Sequence, residues 1–274
     1  MIKKVLGMYF SGTGTTKKVV NHIAEKIAKD LNLEYEEFNF TILSNRKIEK
    51  IFTEDELVVF GVPVIAGRVP NLLLKYLDTL KGNGALAVPV VLYGNRNFDD
   101  ALIELRNILK DKGLRPIAGG AFIGEHSFST ILGAGRPDAK DMEIATGFSE
   151  DIIKKITGKD FDPDKLVDVK GETPIRFYYQ PRDSKGNSID IRKVKPKTNM
   201  ELCNKCGKCI EICPLGSINP EDPSDVFGIC MKCCGCVKGC PSGAKYYDDA
   251  NYLYHQHELE DQYAGTRREP ELFL

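Results

Sequence analysis

The chain has 274 residues, too many for one small module and enough for two domains. Apolar residues make up 42%, enough for a core, and 38 Lys and Arg nearly balance 39 Asp and Glu. That balance excludes a strongly basic nucleic-acid binder and a highly charged disordered chain, and the longest nearly apolar run, 57–66, is far too short to cross a bilayer.

The start, MIKKVLGMYF, carries no small-residue cleavage site and reads as a first strand, so the expected location is cytoplasmic. Lys3–Phe10 predicts that strand. Thr15–Leu31 brings Val19, Val20, Ile23, Ile27 and Leu31 close to a helical period. Leu33–Phe38 is a second strand run. Glu56–Val62 is almost continuously apolar, as suits a strand buried on both faces. Pro70–Leu80 reads as a helix and Leu86–Tyr93 as another buried strand. Phe98–Lys112 is an amphipathic helix stopped by Gly113, Ile117–Ile123 a fifth strand, and Pro137–Ile156 a helix ended by Gly158. Strands alternating with helices predict an α/β class: a doubly wound, five-stranded parallel sheet over 1–158, with its ligand crevice at the carboxyl ends of the strands.

Residues 159–197 are rich in Asp, Pro, Lys and Gly. Within them Ile175, Phe177 and Tyr179 alternate, as do Ile189 and Ile191, around a turn cluster at 183–187. This predicts a linker with a β-hairpin. Residues 198–250 form a small α+β domain and 251–274 a tail.

All nine cysteines fall between Cys203 and Cys240. Their crowding and odd count point to metal ligation rather than a disulfide framework. The run Cys203-x-x-Cys206-x-x-Cys209-x-x-x-Cys213-Pro214 recurs as Cys230-x-x-Cys233-x-x-Cys236-x-x-x-Cys240-Pro241. This is the two-cluster bacterial run, in which the fourth cysteine of each repeat crosses to the other 4Fe–4S cluster. Cys203, Cys206, Cys209 and Cys240 are expected to hold one cluster, and Cys230, Cys233, Cys236 and Cys213 the other. Gly207 and Gly235 are expected to let the backbone approach the sulfides and adopt positive φ. Zinc ribbons also use C-x-x-C pairs, but they need neither the crossing proline nor the duplication. Cys234 is left over and reads as a small buried hydrophobe.

The first βα turn, Ser11-Gly12-Thr13-Gly14-Thr15-Thr16, lacks both the Gly-Lys-Ser/Thr ending of a Walker loop and the third glycine of a dinucleotide fingerprint. It offers hydroxyls and glycines at a helix N-terminus, which suits a phosphate held by neutral donors; helix capping is the plainer role for the same residues. Pro63-Val64-Ile65-Ala66-Gly67-Arg68 and Tyr93-Gly94-Asn95-Arg96-Asn97-Phe98 follow two further strands on the same rim. Their backbone suits the polar edge of a flavin ring, with Ile65 and an aromatic of the second loop over its faces. Asp99 and Asp100 suit a helix start equally well. Arg68, His126 and Arg136 are the candidate catalytic groups near such a ring, although a lone histidine is more readily a hydrogen-bonded loop residue. His255 and His257 read as surface histidines.

The chain resembles the flavodoxin–ferredoxin fusion proteins known as the EFR family of ferredoxins, over residues 1 to about 250. SGTGTT, PVIAGRVP and YGNRNFDDAL carry the flavodoxin-like part, and the two cysteine runs carry the clostridial-type ferredoxin part. The resemblance implies FMN in the first domain and two 4Fe–4S clusters in the second. It maps the phosphate onto Ser11, Thr13, Gly14, Thr15 and Thr16, and the ring onto Pro63, Val64, Ile65, Ala66, Gly67, Gly94, Asn95, Arg96 and Phe98. The chain has no Trp, and Ile65 stands where flavodoxins often place a bulky aromatic.

The expected function is electron transfer between the clusters and FMN within one chain, with redox proteins as partners and neither nucleic acid nor membrane. The alternative is a cluster-fed FMN-dependent reductase of a small-molecule substrate.

Overall fold

A computed structural model describes residues 2–274. In chain order the elements are β1 (Lys4–Tyr9), α1 (Thr15–Leu31), β2 (Glu34–Asn39), β3 (Glu56–Pro63), α2 (Asn71–Leu77), β4 (Leu86–Tyr93), α3 (Ala101–Asp111), β5 (Arg115–Pro116), β6 (Gly119–Ile123) and α4 (Ala139–Thr157). There follow β7 (Lys197–Thr198), α5 (Lys208–Glu211), α6 (Gly235–Lys238), β8 (Lys245–Tyr246), α7 (Ala250–Tyr263) and β9 (Glu271–Phe273).

Seven strands form one sheet in the order β2-β1-β3-β4-β6-β9, with β5 beside β4. All the pairings among β1 to β6 are parallel. The near-continuous apolar runs of β3 and β4 are explained by burial on both faces. On one face Val19, Val20, Ile23 and Ile27 of α1 join Ala145, Phe148 and Ile152 of α4. On the other, Leu73 and Leu77 of α2 join Leu102, Leu105 and Leu109 of α3. The expected doubly wound α/β sheet is therefore present.

Two additions depart from a five-stranded sheet. Arg115–Pro116 makes a short pairing of its own before β6. The last residues, expected as a tail, form α7 and then β9, which pairs antiparallel with β6 through Gly119 opposite Phe273 and Ala121 opposite Glu271. The linker hairpin is reduced to one bridge, Arg182 with Ser188, supported by Asp183 N–H donating to Asn187 O at 2.9 Å.

The cysteine-rich segment is small. Its β7 and β8 pair antiparallel, Lys197 opposite Tyr246, and α5 and α6 are single turns of helix. The duplication is visible in the backbone. Ser217 N–H donates to Cys213 Sγ at 3.4 Å, and Ala244 N–H donates to Cys240 Sγ at 3.3 Å. Lys205 and Lys232 both take φ of 56°. Gly207 takes φ 74°, but its counterpart with positive φ is Cys234, at 56°, and not Gly235. Among the described residues, no helix is long and apolar enough to cross a membrane.

Candidate functional site

The loop after β1 turns sharply into α1. Gly14, at φ 92°, stands at the helix start and supplies no side chain to cap it, so the first N–H groups of α1 keep no side-chain partner. Ser11 N–H donates to Thr41 Oγ1 at 2.7 Å, while Ser11 Oγ is buried with no partner. Thr16 is buried and Thr13 and Thr15 are half-buried. An unpartnered hydroxyl beside a free helix N-terminus fits a phosphate, which would accept from both.

On the carboxyl rim of the sheet lies a cavity of about 540 Å³, within the usual range for a small-molecule site. Val64, Ile65, Ala66 and Gly67 line it from the end of β3, and Tyr93, Gly94, Arg96 and Asn97 from the end of β4. His126 and Phe128 line it from the loop after β6. Ile65, Tyr93 and Phe128 with backbone edges between them fit a flavin ring, and Arg96, Asp190, Arg192 and Lys232 add charge to the walls.

Several expected ring residues have other roles. Asn95 is buried, but its Nδ2 donates to Tyr263 O at 2.9 Å and Thr266 O at 2.7 Å, which anchors the C-terminal segment. Phe98 is buried in the core against Tyr93, with ring centroids 5.6 Å apart, so Tyr93 is the aromatic of that loop on the cavity wall. Pro63 ends β3 and does not line the cavity. Arg96 reaches the wall, held by Asp99 and with its guanidinium 4.6 Å from the Tyr179 ring centroid.

The candidate catalytic groups separate. Arg68 is committed to buried Glu104 at 2.6 and 2.7 Å. Arg136 is committed to buried Asp141 and donates to Arg268 O at 3.1 Å. Neither lines the cavity, so both are structural. His126 does line it. Its Nδ1 accepts from Phe128 N–H at 3.1 Å, so the neutral ring carries its proton on Nε2. Burial, followed by the Lys238 charge, pushes its pKa down to about 3 and keeps the ring neutral at ordinary pH. His255, expected at the surface, is instead buried on α7 and stacks on Tyr179 with centroids 5.9 Å apart; His257 is exposed.

The opposite wall was not legible in the sequence. Tyr178 and Tyr179 come from the linker, where Tyr178 hydroxyl donates to Val69 O and Tyr179 N–H to Ala66 O, both at 2.8 Å. Arg176 bonds to fully buried Asp100 at 2.7 and 3.0 Å. Asp100 also accepts from the N–H groups of Glu172 at 3.0 Å and Arg176 at 2.7 Å, so it ties down the linker rather than capping α3. The only signal of this in the sequence is the polar pair at 99–100.

The cysteines fall into two groups. Cys203, Cys206, Cys209 and Cys240 line one small cavity, and Cys213, Cys230, Cys233 and Cys236 line another. These are the two crossed sets expected from the spacing. Among the described residues no three His, Cys, Asp or Glu are grouped tightly enough to hold a single metal ion. Four thiols lining one small cavity fit a polynuclear group. Burial pushes the Cys233 thiol up to about 11, so binding would have to displace its proton. Cys234 also lines the second cavity, but it is buried with its Sγ 3.4 Å from the Tyr252 hydroxyl.

The second cysteine group abuts the sheet. A Cβ on Gly12 would lie 2.8 Å from Cys233 Cβ, and one on Gly235 2.6 Å from Gly12 O. Cys230 lines both its own cavity and the large one. Lys238 of α6 donates to His126 O at 2.7 Å and Ser129 O at 2.8 Å and pairs with Glu125. Arg46, from the loop after β2, donates to Pro214 O, while its Nη1 is buried without a partner.

Comparison with known proteins agrees with this division. Residues 196–219 match the 4Fe-4S binding domain family. A Clostridium saccharobutylicum protein named flavodoxin is 26% identical over 161 residues, covering 56% of this chain and 97% of that one. Among solved structures, an archaeal flavodoxin is 19% identical, with a TM-score of 0.40, covering 56% of this chain and 98% of its own. Flavodoxin 1 from Bacillus cereus is 16% identical, with a TM-score of 0.39 and coverages of 56% and 98%. The chain thus joins a flavodoxin-like α/β region to a 4Fe–4S segment, a combination that supports electron transfer.

Proposed function

We propose that this protein is an iron–sulfur flavoprotein that passes electrons between two 4Fe–4S clusters and FMN held in one chain. The observation that carries this reading is Cys230, a member of the inner cysteine set that also forms part of the wall of the ring cavity. When bound, the clusters supply one-electron steps and the flavin one- or two-electron steps. The chain fixes their order. The inner set, Cys213, Cys230, Cys233 and Cys236, lies against the phosphate loop through Gly12. The outer set includes exposed Cys206, which suits contact with a partner protein. Tyr93, Phe128 and Ile65 would shield the ring, with Tyr179 at its exposed edge, and Ser11 with the start of α1 would hold its phosphate.

The carrier reading is favoured over a substrate-reducing enzyme because Arg68 and Arg136, two of the three groups a substrate would use, are occupied in ion pairs. The test is anoxic purification followed by iron, sulfide and flavin assays on the wild type and a Cys240→Ser variant. About eight irons and one FMN per chain are expected for the wild type. The variant is expected to lose about four irons from the set of Cys203, Cys206 and Cys209 while keeping its flavin. Four irons in the wild type, or selective loss of the inner cluster in the variant, would refute the crossed assignment.

A further inference from the structure

We propose that Tyr247 is a positioning residue that raises the reduction potential of the inner cluster by donating a hydrogen bond to the Cys230 thiolate. This inference rests on the two-cluster reading above. Tyr247 Oη lies 3.5 Å from Cys230 Sγ. In a free thiol either atom can donate, but a ligating thiolate has no proton, so the phenol must be the donor. The phenol is held in place by its ring, which stacks on buried Tyr252 with centroids 4.1 Å apart and planes 16° from parallel. Lys232 N–H reaches the same sulfur at 3.4 Å.

The duplication separates donors shared by the two sets from those of the inner set alone, Tyr247 and the Lys232 N–H. Backbone N–H donors recur at both crossing cysteines, from Ser217 to Cys213 and from Ala244 to Cys240. They bear on the two clusters alike. Tyr247 stands seven residues after Cys240, and the corresponding position after Cys213 is Pro220, which has no hydroxyl. The outer set's side-chain hydroxyl is Ser242, 3.6 Å from Cys240 on a turn between exposed Pro241 and Gly243, where water competes. Reduction adds one negative charge to the cluster and its thiolates. A donor already aimed at the sulfur binds the reduced form more strongly, and hydrogen bonds to the sulfurs are a recognised control of cluster potential. One electron moves, no bond forms or breaks, and the proton stays on Tyr247 Oη. Because Cys230 also faces the ring cavity, the same bond sets the equilibrium between inner cluster and flavin.

The test is an anoxic redox titration of the full chain, followed by EPR and visible absorption, on the wild type, Tyr247→Phe and Tyr252→Phe, with iron and flavin assayed in each. In Tyr247→Phe one cluster midpoint is expected to fall by a tenfold change in its equilibrium, about 59 mV for one electron. The other cluster midpoint should stay. Tyr252→Phe keeps the stacked ring and loses only a hydroxyl that faces the non-ligand Cys234, so it should move neither midpoint. Unchanged midpoints in an iron-replete Tyr247→Phe protein would overturn the proposal, as would an equal shift in Tyr252→Phe. Loss of the inner cluster in Tyr247→Phe would make the residue a scaffold element and overturn it too. A wild type lacking the inner cluster would instead remove the two-cluster reading on which the inference stands.

Discussion

Gly12 and Gly235 make the contact between the phosphate loop and the inner cysteine loop, each leaving space where a side chain would strike the other loop's backbone or Cys233. Gly12→Val would push the two loops apart. The expected result is loss of the inner cluster and weaker flavin retention, with the outer cluster kept; iron and flavin per chain measure both. Unchanged cofactor content would show that the loops need not touch. The cysteine spacing made the two groupings of cysteines legible because a duplicated run leaves a fixed trace in the sequence. The glycine assignment succeeded only in part. Gly207 has the left-handed backbone expected of it, but in the second repeat Cys234 takes that conformation and Gly235 provides the close approach. A non-glycine residue held at positive φ costs about 1 kcal/mol, and nothing in a single sequence signals that a fold will bear that cost.

The linker shows the limit of short patterns. Ile175, Phe177 and Tyr179 alternate, yet Phe177 is 98% exposed, Tyr179 stays exposed while stacking on His255, and it is the intervening Tyr178 that is half-buried, its hydroxyl on Val69 O. Three alternating residues do not define a strand when the segment is fixed by side-chain anchors. The main anchor is Asp100, whose bond to Arg176 holds its carboxyl down at about 2. Its stabilisation is fully present above the ordinary carboxylate range near 4 and is lost as pH falls toward 2. Asp100→Ala leaves the N–H groups of Glu172 and Arg176 without their acceptor and is expected to cost about 2 kcal/mol in denaturant unfolding, with faster proteolysis between 170 and 190. Equal stability at pH 7 would remove the anchor role. The long helices and inner strands, by contrast, were legible because α1 and α3 repeat their apolar positions at a helical period, while β3 and β4 are short, almost continuously apolar runs that suit a strand buried on both faces.

The sheet is completed from the far end of the chain. β9 has only three residues and no pattern to announce it, and its partner β6 is separated from it by α4, the linker and the whole cysteine-rich segment. Consecutive elements tend to be neighbours in space, so chain order alone gives no hint of this pairing. Ion pairs reinforce the return: Arg267 with Asp138 at 2.7 Å, Lys140 with Glu269 at 2.7 Å, and Lys170 with Glu271 at 3.0 Å. Removing residues 264–274 would uncover the edge of β6 and leave Asn95 without its anchor at Thr266. The expected cost is about 2 kcal/mol, a fall in melting temperature of roughly 4–8 °C, together with concentration-dependent association through the bare edge. A melting temperature and sedimentation profile equal to the full chain would show that β9 is ornamental.

Because β9 returns to the sheet, the cysteine-rich segment is pinned at both of its ends. It is an insertion within the α/β unit, not a bead hung from it. A single nick in the linker would not set it free, since the strand on its far side would still hold it. Nor does its nearness to the cavity on the sheet's rim depend on how far a tether can wander. Two fixed attachments confine it to one neighbourhood, so the proposed electron path would be as permanent as the sheet that anchors it.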